Sequence, residues 1–337
     1  MQYKGIDIMK FIMALFVVVL HTHPLQTVNA AADFATADVI ARAAVPFFFV
    51  ASGFLLEKQI SAHRGETRTI LAKYIRKLLV LYCIWTAIYL PVIICSKIID
   101  SEESLIKSIL SAVRDFVFAG SYGQLWYLPA VAVGALLVFL LRKYLGEKWT
   151  AAILLSLFIM GLLTQSYFGL TIAKLSPDSI IFRGMKAVKK VMVTCRNGVF
   201  FGGIFIYMGT WIARCNLEIK RWKAVLGCIL STLLFYMEAS YLWRIGSVRE
   251  KDMYLMLLPT AFFLMMLALH IEARWNTVFL RKMGINIYLV HTAYKFVYRK
   301  LIGEDNESGM MLFLFTLALS LLTAYLIEWV KRRRGRV

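Results

Sequence analysis

Acidic residues are in short supply in this chain. Asp and Glu number 20 against 39 Lys and Arg in 337 residues, for a formal net charge of +19. A surplus of that size can mark a nucleic-acid binder. Here, however, the bases gather in short segments between apolar runs, the pattern of loops that face anionic lipid and the cytoplasm. Nucleic acid is therefore not an expected partner. The five cysteines, Cys83, Cys95, Cys195, Cys215 and Cys228, include no C-x-x-C pair, which leaves no basis for a zinc site or a redox dithiol. Free thiols, or a pairing of Cys95 with Cys195, are the two readings left open. No polar stretch is long enough for a separate soluble domain, so residues 1–337 read as one domain. No internal repeat supports the inverted halves of a transporter.

Apolar residues are what the chain has in excess, 60% of the total. Apolar runs of membrane length recur from end to end, and the expected class is an all-α polytopic membrane protein. Helices are the default because they satisfy their own backbone groups in lipid. About ten spans are expected, at 8–25, 39–57, 74–96, 125–141, 150–167, 197–213, 223–243, 253–271, 281–299 and 310–330. The bacterial cytoplasmic membrane is the expected location. The first run has the outline of a signal peptide, with Lys4, an apolar Phe11–Leu20 and Ala30-Ala31-Ala32. Asp7 and Lys10 crowd its apolar part and two histidines and Pro24 follow it, so it is expected to be retained.

Lys and Arg set the orientation. With both termini cytoplasmic, the inner segments carry Lys58 to Lys77, Arg142 to Lys148, Arg214 to Lys223, Arg274 to Lys282 and the basic tail from Lys331. The outer segments carry the acids Asp33, Asp38, Asp100, Glu102, Glu103, Glu304, Asp305 and Glu307. The 168–196 connection conflicts with this, being basic on the outer side. Within it Met185, Val188, Met192 and Cys195 recur at helical spacing, which suggests an amphipathic segment on the membrane surface or over a cavity mouth. The connection between the third and fourth spans is long enough to suggest a functional loop.

The first span holds the strongest functional signal. Lys10 precedes His21 by eleven residues, nearly three turns, so both fall on one helix face roughly 16 Å apart along the axis. Asp7 shares the stripe and stands i, i+3 from Lys10, where the two can pair. Ionisable groups at such depth cost roughly 2.5–3.5 kcal/mol each and mark cavities or proton paths. The plain alternatives are a snorkelling Lys10 and a histidine that only bridges helices. In the second span Pro46 frees a carbonyl and kinks the helix, and Ser52-Gly53 permits close helix approach. Glu238 lies inside the seventh span. It is a candidate to orient a base, bind an acceptor hydroxyl or pair with Arg244. His291 lies in the ninth span, and Trp126 and Tyr127 open the fourth. His23, His63 and His270 are read as structural.

Several motifs, taken in order, resemble those of the acyltransferase-3 family of integral membrane acyltransferases. Asp7-Ile-Met-Lys10, ten residues and His21 are similar to its D-x-x-R-x10-H opening, with lysine in place of the usual arginine. Val45-Pro46-Phe47-Phe48-Phe49-x-x-Ser52-Gly53-Phe54 resembles the next motif. Leu125-Trp126-Tyr127-Leu128, Arg196-Asn197-Gly198-x-Phe200-Phe201 and Ile287-Tyr288-Leu289-x-His291 resemble later ones. Lysine keeps the charge of that arginine but loses its bidentate fork. Within the family the chain most resembles the membrane half of serine racemases from vancomycin-resistance clusters, which carry a soluble pyridoxal-phosphate racemase as well. Either a stand-alone enzyme or a truncated one fits the end at Val337.

The resemblance implies O-acyl transfer from cytoplasmic acetyl-CoA to a hydroxyl on an extracytoplasmic glycan or small acceptor. It implies His21 as general base, with Asp7 and Lys10 as the further catalytic candidates, nearer the cytoplasm. Lys10, Ser52 and Arg196 become candidates for the donor. Trp126, Tyr127, Arg196, Asn197, Glu238 and His291 become candidates for the acceptor. No metal is expected. The partners are the acceptor, membrane lipid and, in an oligomer, a second copy of the chain. The rival reading is an importer of L-serine or a similar solute, in which Asp7, Lys10 and His21 line a permeation path.

Overall fold

The computed structural model describes residues 3–63, 65–95, 104–171, 174–176, 178–180, 182–184, 193–303 and 309–335. Three groups of sequence expectations lie outside the described residues. They are the outer acids Asp100, Glu102, Glu103, Glu304, Asp305 and Glu307, the amphipathic positions Met185, Val188 and Met192, and the bases Lys186, Lys189 and Lys190.

Every regular element among the described residues is helical. The helices are α1 (Lys4–Thr22), α2 (Ala30–Asp33), α3 (Ala44–Ala62), α4 (Thr67–Ile94), α5 (Leu105–Phe118) and α6 (Tyr127–Thr164). They continue with α7 (Gly203–Arg214), α8 (Arg221–Arg244), α9 (Leu257–Leu269), α10 (Val278–Ile302) and α11 (Gly309–Arg333). Among the described residues, seven helical segments are long and apolar enough to cross a membrane. The protein is thus an all-α, multi-pass protein of the cell membrane. The remaining expected spans differ from simple apolar rods. Spans 125–141 and 150–167 share α6, which breaks at Gly146, where φ is 75° and only glycine is unstrained. Span 253–271 is a helix of 13 residues. Span 281–299 belongs to α10, a 25-residue helix that buries polar groups at Asn286, His291 and Thr292.

The second span begins earlier than its apolar run. Asn29 caps α2 by accepting from the amides of Ala31 and Ala32, each at 3.0 Å. A π-helical stretch Phe34–Ile40 and a 3-10 turn Ala41–Ala43 then lead into α3. Pro46 explains this: its ring has no N–H to give residue 42 and clashes with that carbonyl, so the preceding turns repack. The long connection after α4 contains α5, whose Phe116 ring stacks on Tyr82 at 5.0 Å. The Tyr82 hydroxyl donates to the Phe116 carbonyl at 2.7 Å. Leu105, Ile106, Leu110, Val113 and Val117 of α5 remain exposed, as on a helix lying in an interface.

The chain forms two compact units. The first comprises Met1–Phe48, Glu218–Tyr236 and Pro259–Val337, the second Phe49–Leu217 and Met237–Leu258. In the first, α1, α10 and α11 pack together, and Gly284 lets α10 approach the Phe11 Cα of α1 closely. In the second, an aromatic core joins Phe49, Phe158, Phe201 and Phe205, with Phe201 and Phe205 edge-to-face at 5.2 Å. Such pairs add about 0.5–1.5 kcal/mol each to area burial.

Candidate active site

In the first unit the site grows from one face of α1. Its 3.6-residue period places Asp7, Lys10 and His21 along a stripe, and α10 supplies the groups that meet them. Asp7 is buried. Its carboxylate accepts from the Thr277 hydroxyl at 2.9 Å, and the Arg281 guanidinium stands 3.7 Å away. The buried acid is thus met from a second helix, where sequence had offered Lys10 as its partner. Lys10 is half-buried and lies in the field of both Asp7 and Arg281.

About three turns along α1, the rings of His21 and His291 face each other with centroids 5.2 Å apart at an interplanar angle of 37°. His291 is fully buried. Its Nδ1 lies 2.8 Å from the Tyr288 carbonyl and 3.2 Å from that of Ile287. Carbonyls only accept, so Nδ1 carries the proton and the lone pair sits on Nε2. That Nε2 is buried and meets no hydrogen-bond partner among the described residues. The Tyr288 ring lies 6.2 Å from His291 and 6.4 Å from Phe48. Lys295, one turn beyond His291, donates from Nζ to the His21 carbonyl at 2.6 Å. This bond ties the C-terminal turn of α1 to α10 next to the paired rings.

The second unit holds the remaining candidates. The Ser52 and Tyr127 hydroxyls are 3.1 Å apart, with Tyr127 packed on Phe49 at 4.8 Å. The Arg196 guanidinium lies 5.0 Å from the Trp126 ring centre and 3.4 Å from the Asp252 carboxylate. Its Nε is buried and meets no hydrogen-bond partner among the described residues. Asn197 caps the turn before α7, accepting from Val199 and Phe200 at 2.9 and 3.0 Å and donating to the Thr194 carbonyl at 2.9 Å. Glu238 accepts from the Tyr167 hydroxyl and the Leu255 amide at 2.7 Å, and from the Met256 amide at 2.8 Å. It therefore holds the backbone at the start of α9, where free amides favour an acid, and the Arg244 pairing is not formed. Both Asn197 and Glu238 have their polar atoms engaged within the protein. None of the five cysteines is in a disulfide among the described residues, so the Cys95–Cys195 bridge is not formed; Cys195 is buried 3.1 Å from the Thr164 hydroxyl.

Sequence reasoning gave no site role to Thr277, Lys295 and Asp252, nor to Tyr288 and Arg281, which it named only as part of a motif and of a basic segment. Lys295 carried a usable signal, since it follows His291 at i, i+4 on one face. It also passed over Glu57, buried in α3. Glu57 binds Arg142 through two contacts of 2.8 and 3.4 Å, and Glu147 ties Arg142 to Arg214.

Residues 3–329 match the model of a family described as an acyltransferase domain. Two proteins of Enterococcus faecalis, both named amino-acid racemase, are 29% and 27% identical over 276 and 298 residues, covering 82% and 86% of this chain. A serine/alanine racemase of Enterococcus gallinarum is 29% identical over 297 residues, 86% of this chain. The chain spans less than half of these relatives, 37% of the first and 40% of the other two. No solved structure matches it.

Proposed function

The chain belongs to the acyltransferase-3 family of integral membrane proteins, and from that premise we propose that it moves an acetyl group from acetyl-CoA to a hydroxyl of a glycan or small acceptor. His21 acts as general base. It takes the hydroxyl proton as the oxygen attacks the thioester carbonyl, the C–O bond forms, the C–S bond breaks, and the proton passes to the departing CoA thiolate. What supports this reading is the pairing of His21 with a second, tautomer-fixed imidazole at 5.2 Å, on the same helix face as Asp7 and Lys10. A lone structural histidine would not call for such a neighbour. The bare Nε2 of His291 offers an acceptor for the substrate hydroxyl or for an N–H of His21. Lys10 neutralises donor phosphate, and its axial separation from His21, roughly 16 Å, is comparable to the reach of a pantetheine arm. Asp7, held by Thr277 and Arg281, keeps that end of the stripe in a fixed electrostatic setting.

In the second unit the Arg196 guanidinium stands over the ring of Trp126, which is itself buried, so Trp126 holds Arg196 in place and the guanidinium is the group that meets an acceptor. The test uses the full chain in detergent or lipid nanodiscs with acetyl-CoA, following release of the CoA thiol. His21→Ala is expected to lower the rate about 10²–10⁴-fold, the span of general-base catalysis. Unchanged thiol release in that variant refutes the reading. Serine uptake into proteoliposomes without acetyl-CoA, abolished by the same change, replaces it with transport.

A further inference from the structure

The second unit carries a groove lined by none of the residues assigned to acyl transfer. It lies between α4 and α6 and has a volume of about 840 Å³. Leu79, Val80 and Ile84 of α4 and Leu136 and Leu140 of α6 form its apolar walls, and Arg68, Arg76 and Lys143 stand at one end. No acid is among its lining residues. None of these three cations forms an ion pair among the described residues; Lys143 instead reaches the Tyr144 hydroxyl at 3.2 Å and covers its ring. The contrast within the unit is sharp, since Arg142, next in sequence to Lys143, is held by Glu57 and Glu147. Leu79, Val80 and Ile84 are exposed, and α4 is the least buried of the seven long apolar segments.

We propose that this groove seats one anionic phospholipid, with an acyl chain along its apolar walls and the phosphate against Arg68, Arg76 and Lys143. Charge complementarity carries the choice of occupant: three cations with no ion pair among the described residues, at one end of an apolar trough whose lining holds no acid, suit an anion with a hydrocarbon tail. The dimensions agree. Arg76 and Ile84 are eight residues apart, roughly 12 Å of helix. One leaflet contributes half of a hydrocarbon core of about 30 Å. A lipid whose phosphate lies level with Arg76 therefore reaches Ile84 within its own leaflet. The break at Gly146, where φ is 75°, turns the chain just beyond Lys143 and Tyr144 and ends the trough there. By the distribution of Lys and Arg this is the inner leaflet.

The test measures lipid retained by the purified full chain in native mass spectrometry after exchange into equal phosphatidylglycerol and phosphatidylcholine. Each basic residue near a headgroup contributes a factor of roughly five, so phosphatidylglycerol is expected to be kept at least tenfold over phosphatidylcholine. The triple variant Arg68→Gln, Arg76→Gln, Lys143→Gln is expected to lose that preference while still eluting as a single folded species. Leu136→Trp fills the trough, leaves the charges in place, and is expected to lose the retained lipid. Retention of the preference in the triple variant overturns the proposal. Full retention by Leu136→Trp overturns the groove as the seat. Displacement of the lipid by inorganic phosphate shows that the cations bind a free anion and also overturns it.

Discussion

Gly53 of α3 and Gly209 of α7 let two backbones touch, and substituting them tests how rigid that crossing is. A Cβ on Gly53 would stand 2.9 Å from the Ile206 carbonyl carbon and 3.0 Å from the Ile206 Cα. A Cβ on Gly209 would stand 2.7 Å from the Phe54 nitrogen and 2.9 Å from the Val50 carbonyl carbon. Unstrained carbon contacts need about 3.5–4.0 Å. The carbonyl oxygens of Ile206 and Val50 come closer still; because every neighbour is backbone, no side-chain rotation relieves the clash, and the helices must part by about 1 Å or more. Overpacking of this kind costs about 1–3 kcal/mol. Gly53→Ala and Gly209→Ala should therefore each destabilise the protein by about 2 kcal/mol. The double variant should cost less than the sum by about 1 kcal/mol, since one separation makes room for both methyl groups. The same shift moves Ser52, which lies next to Gly53 and meets Tyr127 at 3.1 Å. SDS-driven unfolding followed by tryptophan fluorescence gives the four stabilities. Either single variant matching the wild type, or strictly additive losses, would refute the claim that this crossing is set by backbone contact.

Other predictions address the remaining buried groups. His291→Phe keeps an aromatic ring but removes the Nε2 lone pair, and should lower acetyl transfer about 10–100-fold with the KM for acetyl-CoA unchanged; thiol-release kinetics at several donor concentrations decide it, and wild-type turnover rejects a part for that nitrogen. Glu238→Gln should cost about 1–3 kcal/mol, because a neutral amide weakens three charge-assisted bonds, yet turnover per folded molecule should not change; a specific loss of turnover would restore Glu238 to the reaction. Glu57→Gln should cost about 2 kcal/mol in SDS unfolding, since Arg142 loses its buried carboxylate but keeps Glu147. Glu57→Leu with Arg142→Met should cost less, as paired removal leaves no charge stranded.

The relation between sequence and structure differs between the two histidines. His21 stood out locally, because an imidazole and two charges on one apolar helix face have no cheap explanation in lipid. His291 stood out less, and nothing in its own neighbourhood said that it packs against His21 across 270 positions. Glu238 stood out strongly as a carboxylate inside an apolar run. Its actual role, holding Tyr167 and the Leu255 and Met256 amides, depends on where α9 begins, which a hydropathy pattern does not locate. Asn197 likewise reads as part of a motif, while its side chain caps a turn.

The sequence by itself determined the class of the protein, the faces of α1 and the family to which the motifs point. These follow from short-range facts: apolar run length, a 3.6-residue period and the cost of charge in lipid. Only the tertiary structure decided which groups meet. Asp7 finds Thr277 across 270 positions, and the His21 carbonyl finds Lys295 across 274. Such meetings depend on how α10 lies against α1 to within an ångström, which is set by the packing of many side chains at once and is written in no single segment of the chain.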